Sequence, residues 1–572
     1  MIESILRSFV DTANEYIWSF PSVFPWMVAL LLLTGIFITF RMKWISIREF
    51  RHAVNVIRGK YDNPEDAGDI NHFQALATAL SATIGIGNIA GVALAIHYGG
   101  PGVLLWLWIS GLFGMCLKFT ECTLSLHYRK FDEQGHVSGG PMYYIEWGLG
   151  PRWKWMAVMF ASLAIVSSFG IGSMNQSNTV AVSAASEFGI SGWLIGLLLA
   201  ILVGLVILGG IKRIAAVSSR LMPTMALIYI LGALTILFSH FQQLPDTFLS
   251  IFSEAVRPKA AFGGTAAGVW HLTMMWGIKR ALFSNEAGMG SAPIAHAAAK
   301  TREPVREGVV AMMGPFVDTL MICTLTGLVI LVTGVWDEKK PDRVPLDLNK
   351  VEVLSARQSA FHGSESEGRK IKAMVPFQGD AKVINGKTNL VFVVNDAMVG
   401  MPQLYLDNIP YAGVLHIENQ RVTNDAGEPL HLDLKGHMLQ NSSALTAWAF
   451  HEGFGKYGNL GNMIVTVCVF LFALSTMISW SYYGDRCVEY LAGAKYVVVY
   501  RVVYVVFVYL GAVLALETVW AYGDMALGLM AVPNLIAVLL LSPKVVALSR
   551  EYFMNKDSRM DGAPGAGEQI GP

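Results

Sequence analysis

Charged residues are scarce in this sequence. They make up 15% of the 572 residues, whereas 53% are hydrophobic, and an ordinary soluble domain carries about 25% charged residues. Lysine plus arginine equals aspartate plus glutamate at 42 each, so no basic field indicates a nucleic-acid partner. The five cysteines lie in apolar segments or in a basic connector, which excludes an exported disulfide framework. The composition therefore predicts a polytopic membrane protein.

Long apolar runs are correspondingly abundant. A bilayer core of about 30 Å requires about 20 mostly apolar residues per helix. Eleven segments meet this requirement, and we number them spans one to eleven: 24–40, 74–98, 101–127, 155–182, 191–209, 216–238, 268–298, 307–335, 459–484, 499–517 and 520–542. The predicted fold class is an all-α polytopic membrane protein with eleven transmembrane helices.

Lysine and arginine concentrate in the connectors that follow odd-numbered spans, beginning with the cluster Arg41 to Lys60 after span one. The opposite side holds few such residues outside one long insertion, among them Arg7, Arg257 and Lys259. Cytoplasmic connectors retain positive residues, so we expect the N-terminus outside and the C-terminus in the cytoplasm of a bacterial inner (plasma) membrane. Because acidic residues precede span one and the basic cluster follows it, we interpret this span as an anchor rather than a cleaved signal peptide.

The long insertion, residues 337–440, has a different composition with many turn signals. Asn385-Gly386 between the apolar segments 383–384 and 390–394 predicts a β-hairpin with a type I′ turn. Segments 414–422 and 430–434, around residues 425–427, predict a second hairpin. We expect a small β-rich domain on the extracytoplasmic face. It is either a structural cap or a ligand-sensing module, and the absence of a ligand motif favours the cap.

Two spans carry helix-breaking or polar residues at their centres. Gly85, Gly87 and Asn88 lie in the middle of span two, and Ser284 to Glu286 lie in the middle of span seven. Unpaired backbone inside a bilayer is tolerated where it lines a polar cavity, and an ionisable residue at that depth usually has a function. Spans two and seven are five apart, as expected of transporters built from inverted repeats.

Structural explanations compete with this interpretation. The glycines of span two would also allow close helix packing, and Glu286 would also form an ion pair with Lys279 or Arg280. Lys118 and Glu121 are spaced for a pair on one helix face, which favours a structural role. Asp318 in span eight is either a structural acid or a coupling acid, and the sequence does not decide between the two.

Four stretches resemble the alanine-or-glycine:cation symporter family. They are residues 81–92 (SATIGIGNIAGV), 139–144 (GGPMYY), 279–291 (KRALFSNEAGMGS), and 472–476 (FALST) with 482–484 (YYG). The resemblance covers nearly the whole chain except 337–440. It implies the amino-acid–polyamine–organocation superfamily fold, which is a five-plus-five inverted-repeat core like that of neurotransmitter:sodium symporters. Span one is then an extra N-terminal helix, and spans two to eleven form the core.

The same resemblance implies a function and a site. The function is Na⁺- or H⁺-driven uptake of alanine or glycine, with glutamine as a substrate of some members. The implied substrate contacts are Thr83, Ile84, Gly85, Gly87, Asn88, Gln176, Phe283, Ser284, Asn285 and Glu286. The implied sodium site joins carbonyls near Ser81 and Ile84 to the hydroxyls of Ser475 and Thr476. Ile86 departs from the smaller or polar residue expected there, which leaves the size of the substrate open.

These expectations divide the chain into an N-terminal helix with its connector (1–73), the first repeat and the start of the second (74–336), the insertion (337–440), the rest of the second repeat (441–544) and a cytoplasmic tail (545–572). We expect a symporter that imports a small neutral amino acid with Na⁺, is embedded in a lipid bilayer, and needs no cofactor beyond the coupling ion. It is not expected to be an enzyme. The alternative from a different functional class is a membrane receptor that senses a ligand through residues 337–440. The oligomeric state is left open.

Overall fold

The computed structural model describes residues 10, 12–21, 24–63, 65–131, 137–256, 266–348, 351–355, 375–394, 397–418, 421–514 and 516–554. Every structural statement below refers to this part of the chain. The predicted outer residues Arg7, Arg257 and Lys259, and the tail beyond residue 554, lie outside it.

Helices coincide with all eleven predicted segments. Within the described residues, seven are long and apolar enough to cross a membrane, or eight when one bent pair counts as a single span. This confirms a largely helical polytopic membrane protein, while the count of eleven transmembrane helices and the inverted repeat stay predictions. The helices are Trp26–Arg41, His72–Thr83 with Gly87–Gly99, Val103–His127, Pro151–Ala185, Gly192–Ile207, Gly210–Ser239, Ala266–Asn285 with Ala292–His296, Pro304–Val332, Gly458–Ala492, Val497–Val513 and Leu516–Met554.

Burial separates the interior of the bundle from its periphery. Span three (Val103–His127) packs against spans one, seven and eight and buries most of its residues. Span five (Gly192–Ile207) is more peripheral, and Ile201 and Leu205 on it are 52% and 56% exposed. Large apolar side chains on the outside of a helical bundle fit contact with lipid, whose hydrocarbon tails are equally apolar.

Both predicted helix breaks are confirmed. The helix His72–Thr83 begins with a capping box in which Asn71 and Gln74 exchange hydrogen bonds, and a bend of 54° separates it from Gly87–Gly99. The helix Ala266–Asn285 ends just before Glu286, whose φ of 53° lies in the left-handed region that side chains other than glycine rarely adopt. In both spans, the helix therefore breaks where the sequence has glycine and polar residues at the centre of the span.

Other helices were not among the predicted spans. Ile45–Arg48 and Phe50–Ile57 follow span one. Leu244–Val256 lies between spans six and seven and is amphipathic, with an exposed Leu249 and a buried Ile251. Ser442–Gly453 precedes span nine, and its Thr446 hydroxyl donates to the carbonyl of Ile89 at 3.1 Å. This last helix therefore packs against span two just after its break and is hydrogen-bonded to it.

Residues 339–439 contain strands that form three sheets. They have their own hydrophobic core, in which Leu404, Leu415 and Leu434 are fully buried. The first and last strands pair antiparallel, with Lys339 opposite Leu439, so the segment leaves the helical bundle and returns to it at one place. The strands are Lys339–Pro345, Glu352–Ser355, Val375–Pro376, Gly379–Val383, Leu390–Val394, Ala397–Met398, Gly400–Leu406, Ile409–Pro410, Gly413–Glu418, Arg421–Thr423 and Asp433–Leu439.

The first predicted hairpin is wrong beyond its turn. Asn385 and Gly386 both have positive φ, 49° and 76°, as a type I′ turn requires. However, Gly379–Val383 pairs with Gly413–Glu418, whereas Leu390–Val394 pairs with Glu352–Ser355. The dipeptide specifies the turn, but pairing with distant strands overrides the local hairpin.

The second predicted hairpin is also wrong in its distal strand. Arg421–Thr423 pairs with Gly413–Glu418, so the single predicted segment 414–422 covers most of two paired strands. The strand Asp433–Leu439 pairs with Lys339–Pro345 and Gly400–Leu406 instead. Again the turn is local, while the partner strand is set by the rest of the segment.

Candidate functional site

A cavity of about 40 Å³ lies between the breaks of spans two and seven. This volume accommodates a few water molecules, so an amino acid enters only when the lining side chains move outward. Spans two, four, seven, nine and eleven all contribute to the wall, which consists of Ala82, Thr83, Gly85, Ile86, Gly87, Ile171, Asn175, Gln176, Arg280, Phe283, Glu286, Thr476 and Asp524.

The structure divides the predicted substrate residues into two groups. Six of them line the cavity, namely Thr83, Gly85, Gly87, Gln176, Phe283 and Glu286. The other four, Ile84, Asn88, Ser284 and Asn285, are buried without being part of the wall. The polar side chains of Asn88, Ser284 and Asn285 instead stabilise the two breaks.

At the break of span two, two backbone donors are paired with side chains of the protein itself. The side-chain oxygen of Asn88 accepts from the Gly85 N–H at 3.0 Å. The side-chain oxygen of Gln176 accepts a long bond from the Ile86 N–H at 3.5 Å. A Cβ at Gly85 would lie 2.8 Å from the Thr476 hydroxyl, so the break needs glycine here to pass close to span nine.

A buried acid in span eight connects both breaks. Asn88 donates to one oxygen of Asp318 at 2.5 Å, and the Ser284 and Thr319 hydroxyls donate to the other at 2.8 Å each. These four side chains are fully buried, and a buried carboxylate is stable only when donors surround it. Asp318, which the sequence left open between two roles, thus joins spans two, seven and eight. Asn285 adds a bond of 3.0 Å to Thr319.

Glu286 is held by neutral donors. One carboxylate oxygen accepts from the Ser291 hydroxyl at 2.5 Å, and the other accepts from the Trp480 indole at 3.2 Å. The side chain is 3% exposed and lines the cavity. The hydrogen-bond partners of Glu286 are therefore a hydroxyl and an indole. They are not the ion pair with Lys279 or Arg280 that the structural explanation of this residue expected.

Arg280 and Asp524 are charged cavity residues that were not predicted as part of the site. Arg280 is 8% exposed, and its guanidinium lies against span two. A Cβ at Gly87 would lie 2.8 Å from its Nη2, and a Cβ at Gly91 would overlap its Cζ at 1.8 Å. The signal that could have identified both residues is the rarity of ionisable groups inside apolar spans.

Three of the four predicted sodium ligands, Ser81, Ser475 and Thr476, come together beside the cavity. The hydroxyls of Ser475 and Thr476 each lie 3.2 Å from the carbonyl oxygen of Ser81. The buried Ser81 hydroxyl has no hydrogen-bond partner in the described part of the chain. Ile84, at the end of the helix His72–Thr83, is fully buried nearby in sequence. Hydroxyl and carbonyl oxygens are the ligands that hard cations prefer, so this oxygen-rich set fits Na⁺.

The expected pair in span three is present and supports the other break. The Lys118 ammonium lies 3.8 Å from a carboxylate oxygen of Glu121. The other oxygen of Glu121 accepts from the Asn534 amide at 2.9 Å, and the same amide donates to the Gly288 carbonyl at 2.8 Å. Because Gly288 belongs to the break of span seven, this buried polar cluster fixes that break to spans three and eleven.

An arginine holds the connector before span two to the connector after span seven. The guanidinium of Arg129 donates to the carbonyls of Ala297, Ala299, Ala67 and Thr301 at 2.9, 2.7, 3.1 and 2.6 Å. Burial lowers the pKa of Arg129 to about 10 against the opposing effect of nearby acids, so it stays charged at neutral pH. We call these contacts the Arg129 clasp.

A buried triad lies next to the Arg129 clasp. Glu307, at the start of span eight, binds His72 with one oxygen and His296 with the other, the latter at 2.6 Å. His72 begins the helix His72–Thr83, and His296 ends the short helix after the second break. The two broken spans are thus joined at the side predicted to face the cytoplasm.

Comparison with known proteins identifies the family. The model of the sodium:alanine symporter family matches residues 3–356 and 431–564. The chain belongs to the sodium:alanine symporter family. The internal stretch that the family model leaves unmatched, 357–430, lies within the predicted insertion. Membership makes the protein a multi-pass membrane transporter of a symporter family and not an enzyme.

Three relatives match along almost their whole length. Sodium/alanine symporter AgcS of Methanococcus maripaludis is 36% identical over 95% of this chain and 97% of its own. Probable sodium/glutamine symporter GlnT of Bacillus subtilis is 31% identical over 98% and 93%. Putative sodium/proton-dependent alanine carrier protein YrbD of Bacillus subtilis is 30% identical over 97% and 94%.

Proposed function

We propose that the protein imports a small neutral amino acid, alanine or glycine, together with Na⁺. The observation that carries this proposal is the cavity at two broken helices beside a cluster of cation-binding oxygens at Ser81, Ser475 and Thr476. The name of the AgcS relative supports alanine and sodium as the transported pair.

The proposed coupling depends on one side chain that belongs to both sites. Thr476 lines the cavity and also lies 3.2 Å from the Ser81 carbonyl. A sodium ion bound by this hydroxyl and carbonyl fixes the end of the first half of span two next to Gly85. This orders the cavity wall before substrate binds, and by linkage the substrate raises the affinity for sodium by the same factor.

The proposed transport cycle alternates access to the cavity around this pair of sites. In the present conformation the Arg129 clasp and the His72–Glu307–His296 triad hold the predicted cytoplasmic side together. We place the protein in a bacterial inner membrane with the N-terminus outside, and we interpret spans two to eleven as the five-plus-five inverted-repeat core. Release into the cytoplasm then requires the clasp to open.

Uptake into proteoliposomes tests the proposal. With an inward Na⁺ gradient we expect accumulation of labelled alanine or glycine, and we expect none when K⁺ replaces Na⁺ at both faces. Accumulation driven equally well by a proton gradient without Na⁺ would contradict sodium coupling. The GlnT relative is named for glutamine, so labelled glutamine is assayed in parallel, and uptake of glutamine alone would reject the small substrate.

A further inference from the structure

We propose that a second cavity, at the predicted cytoplasmic ends of spans one and eleven, binds the headgroup of an anionic phospholipid. This cavity has a volume of about 310 Å³, within the range of roughly 300–1,000 Å³ that ligand sites occupy. It shares no lining residue with the cavity between the two broken spans. A lipid bound here therefore leaves the proposed transport site unoccupied.

Four basic side chains line this second cavity, which we call the basic cavity. Arg41, Lys43 and Arg48 come from the end of span one and the turn that follows it, and Arg550 comes from the helix of span eleven, which packs against span one. No acidic residue in the described part of the chain lines it. Glu49 lies outside the wall, with its carboxylate 3.9 Å from the Arg48 guanidinium. The wall therefore attracts an anion.

The backbone after span one brings its cations to the same place. Lys43 and Trp44 both have positive φ, 54° and 55°, a conformation that residues other than glycine rarely adopt. Their N–H groups donate to the carbonyls of Phe40 and Thr39 at 3.1 and 3.0 Å, so the chain turns sharply at the end of the helix. The Arg48 guanidinium donates to the Lys43 carbonyl at 3.3 Å. This bond holds Arg48 beside the turn.

Basic residues in a cytoplasmic connector also orient a membrane protein, but that role requires no common cavity. Arg51 and Arg58 belong to the same connector, are exposed and do not line the basic cavity, as expected of charges that only orient the chain. The four lining cations instead surround one space, and Arg550 joins the other three from the last helix. Basic pockets between membrane helices on the cytoplasmic side are typical sites for anionic lipid headgroups.

The surroundings of the basic cavity favour a lipid over a soluble anion. The Arg41 guanidinium lies 5.5 Å from the ring of Phe37, one turn earlier on span one. Phe40 and Ile47, next to lining residues in the sequence, are each 61% exposed. Exposed apolar side chains beside exposed cations are typical of a surface at the membrane boundary. A phospholipid contacts both kinds of side chain, with its phosphate and its acyl chains, whereas a free phosphate satisfies the cations alone.

The test compares two lipids by native mass spectrometry of the purified full-length protein in detergent. Dioleoylphosphatidylglycerol is anionic, and dioleoylphosphatidylcholine has the same acyl chains without a net charge. The test variant is Arg41→Gln with Arg550→Gln, which neutralises one cation from each of the two helices at the basic cavity. The matched control is Arg51→Gln with Arg58→Gln, which removes the same charge from exposed residues outside that cavity.

We expect the unmodified protein to prefer phosphatidylglycerol by about thirtyfold or more, the effect of at least two basic residues near an anionic headgroup. The test variant should lose this preference by weakening phosphatidylglycerol alone, and the control should retain it. A preference that survives in the test variant overturns the proposal. An equal loss in the control also overturns it, because diffuse surface charge then explains the binding. If the test variant does not fold, Arg550→Gln alone decides in the same way.

Competition distinguishes the lipid from a soluble anion. Glycerol 3-phosphate carries a phosphate without acyl chains. In about tenfold excess over phosphatidylglycerol it should leave lipid binding to the unmodified protein unchanged, because it makes no contact with the exposed apolar side chains. Displacement of phosphatidylglycerol by this competitor would assign the basic cavity to a free phosphate compound and overturn the assignment to a lipid.

Discussion

Removal of the Arg129 clasp should open the predicted cytoplasmic side of the cavity. Arg129→Ala deletes four hydrogen bonds that join the connectors on either side of the two broken spans. The net contribution of one such bond is about 1 kcal/mol, and the four are not additive because water replaces some of them. A loss of about 3 kcal/mol changes the equilibrium between closed and open states about a hundredfold.

The assay measures this change as chemical accessibility. Ala82 lines the cavity and is 2% exposed, so a cysteine at this position reports on access. All five native cysteines are buried, which keeps the background labelling low. In inside-out vesicles, a charged impermeant thiol reagent should label Ala82→Cys slowly. It should label the double variant with Arg129→Ala up to about a hundredfold faster.

The control is Lys130→Ala, which removes the neighbouring cation. Lys130 is exposed and makes none of the clasp contacts, so its loss should leave the labelling rate unchanged. Equal rates with and without Arg129, in protein of unchanged thermal stability, would refute the assignment of the clasp to the closed state.

Four other substitutions or replacements test separate parts of the structure. Thr476→Ala should raise the Na⁺ concentration for half-maximal uptake about tenfold, as for a lost polar contact, and an unchanged value would remove Thr476 from the sodium site. Gly87→Leu should abolish alanine binding in calorimetry because its side chain collides with Arg280, while measurable affinity would argue against a site at this break. Replacement of 337–440 by a short Gly/Ser linker should preserve uptake, because Lys339 and Leu439, at the two ends of the strand-rich segment, lie side by side. Complete loss of uptake in well-folded, membrane-inserted protein would mean that the segment controls access to the site. Hydrogen bonds from His416 to Asp425 and Asp380 raise the pKa of His416. The stability that these bonds add is therefore full below the unfolded-state pKa of the histidine and is lost as pH rises through its folded-state pKa. In the double variant Asp380→Asn with Asp425→Asn, histidine NMR should show the pKa of His416 return towards its ordinary value.

The apolar spans and their breaks could be predicted from sequence because both are local properties. Gly85, Gly87 and Glu286 are conspicuous in a bilayer segment whatever the rest of the chain does. The helix Leu244–Val256 was missed because its apolar residues cover one face only and do not form a continuous run.

The use of each polar group could not be predicted in the same way. Whether the Gly85 N–H is free depends on the rotamer of Asn88, and whether Arg280 reaches Gly91 depends on how spans two and seven pack. The strand pairings of the insertion are likewise set by distant segments, since a turn fixes register only for the strands that it joins directly. Local patterns therefore identified the region of the site, and tertiary packing determined which groups face the cavity.

The Arg129 clasp has an evolutionary consequence. Its four acceptors are main-chain carbonyls, which every amino acid supplies, so a substitution at Ala67 or Thr301 changes the side chain without deleting the acceptor. The donor, by contrast, depends on a single codon. Genetic drift can alter the connectors freely as long as their backbone path is kept, whereas loss of the arginine removes all four contacts in one step.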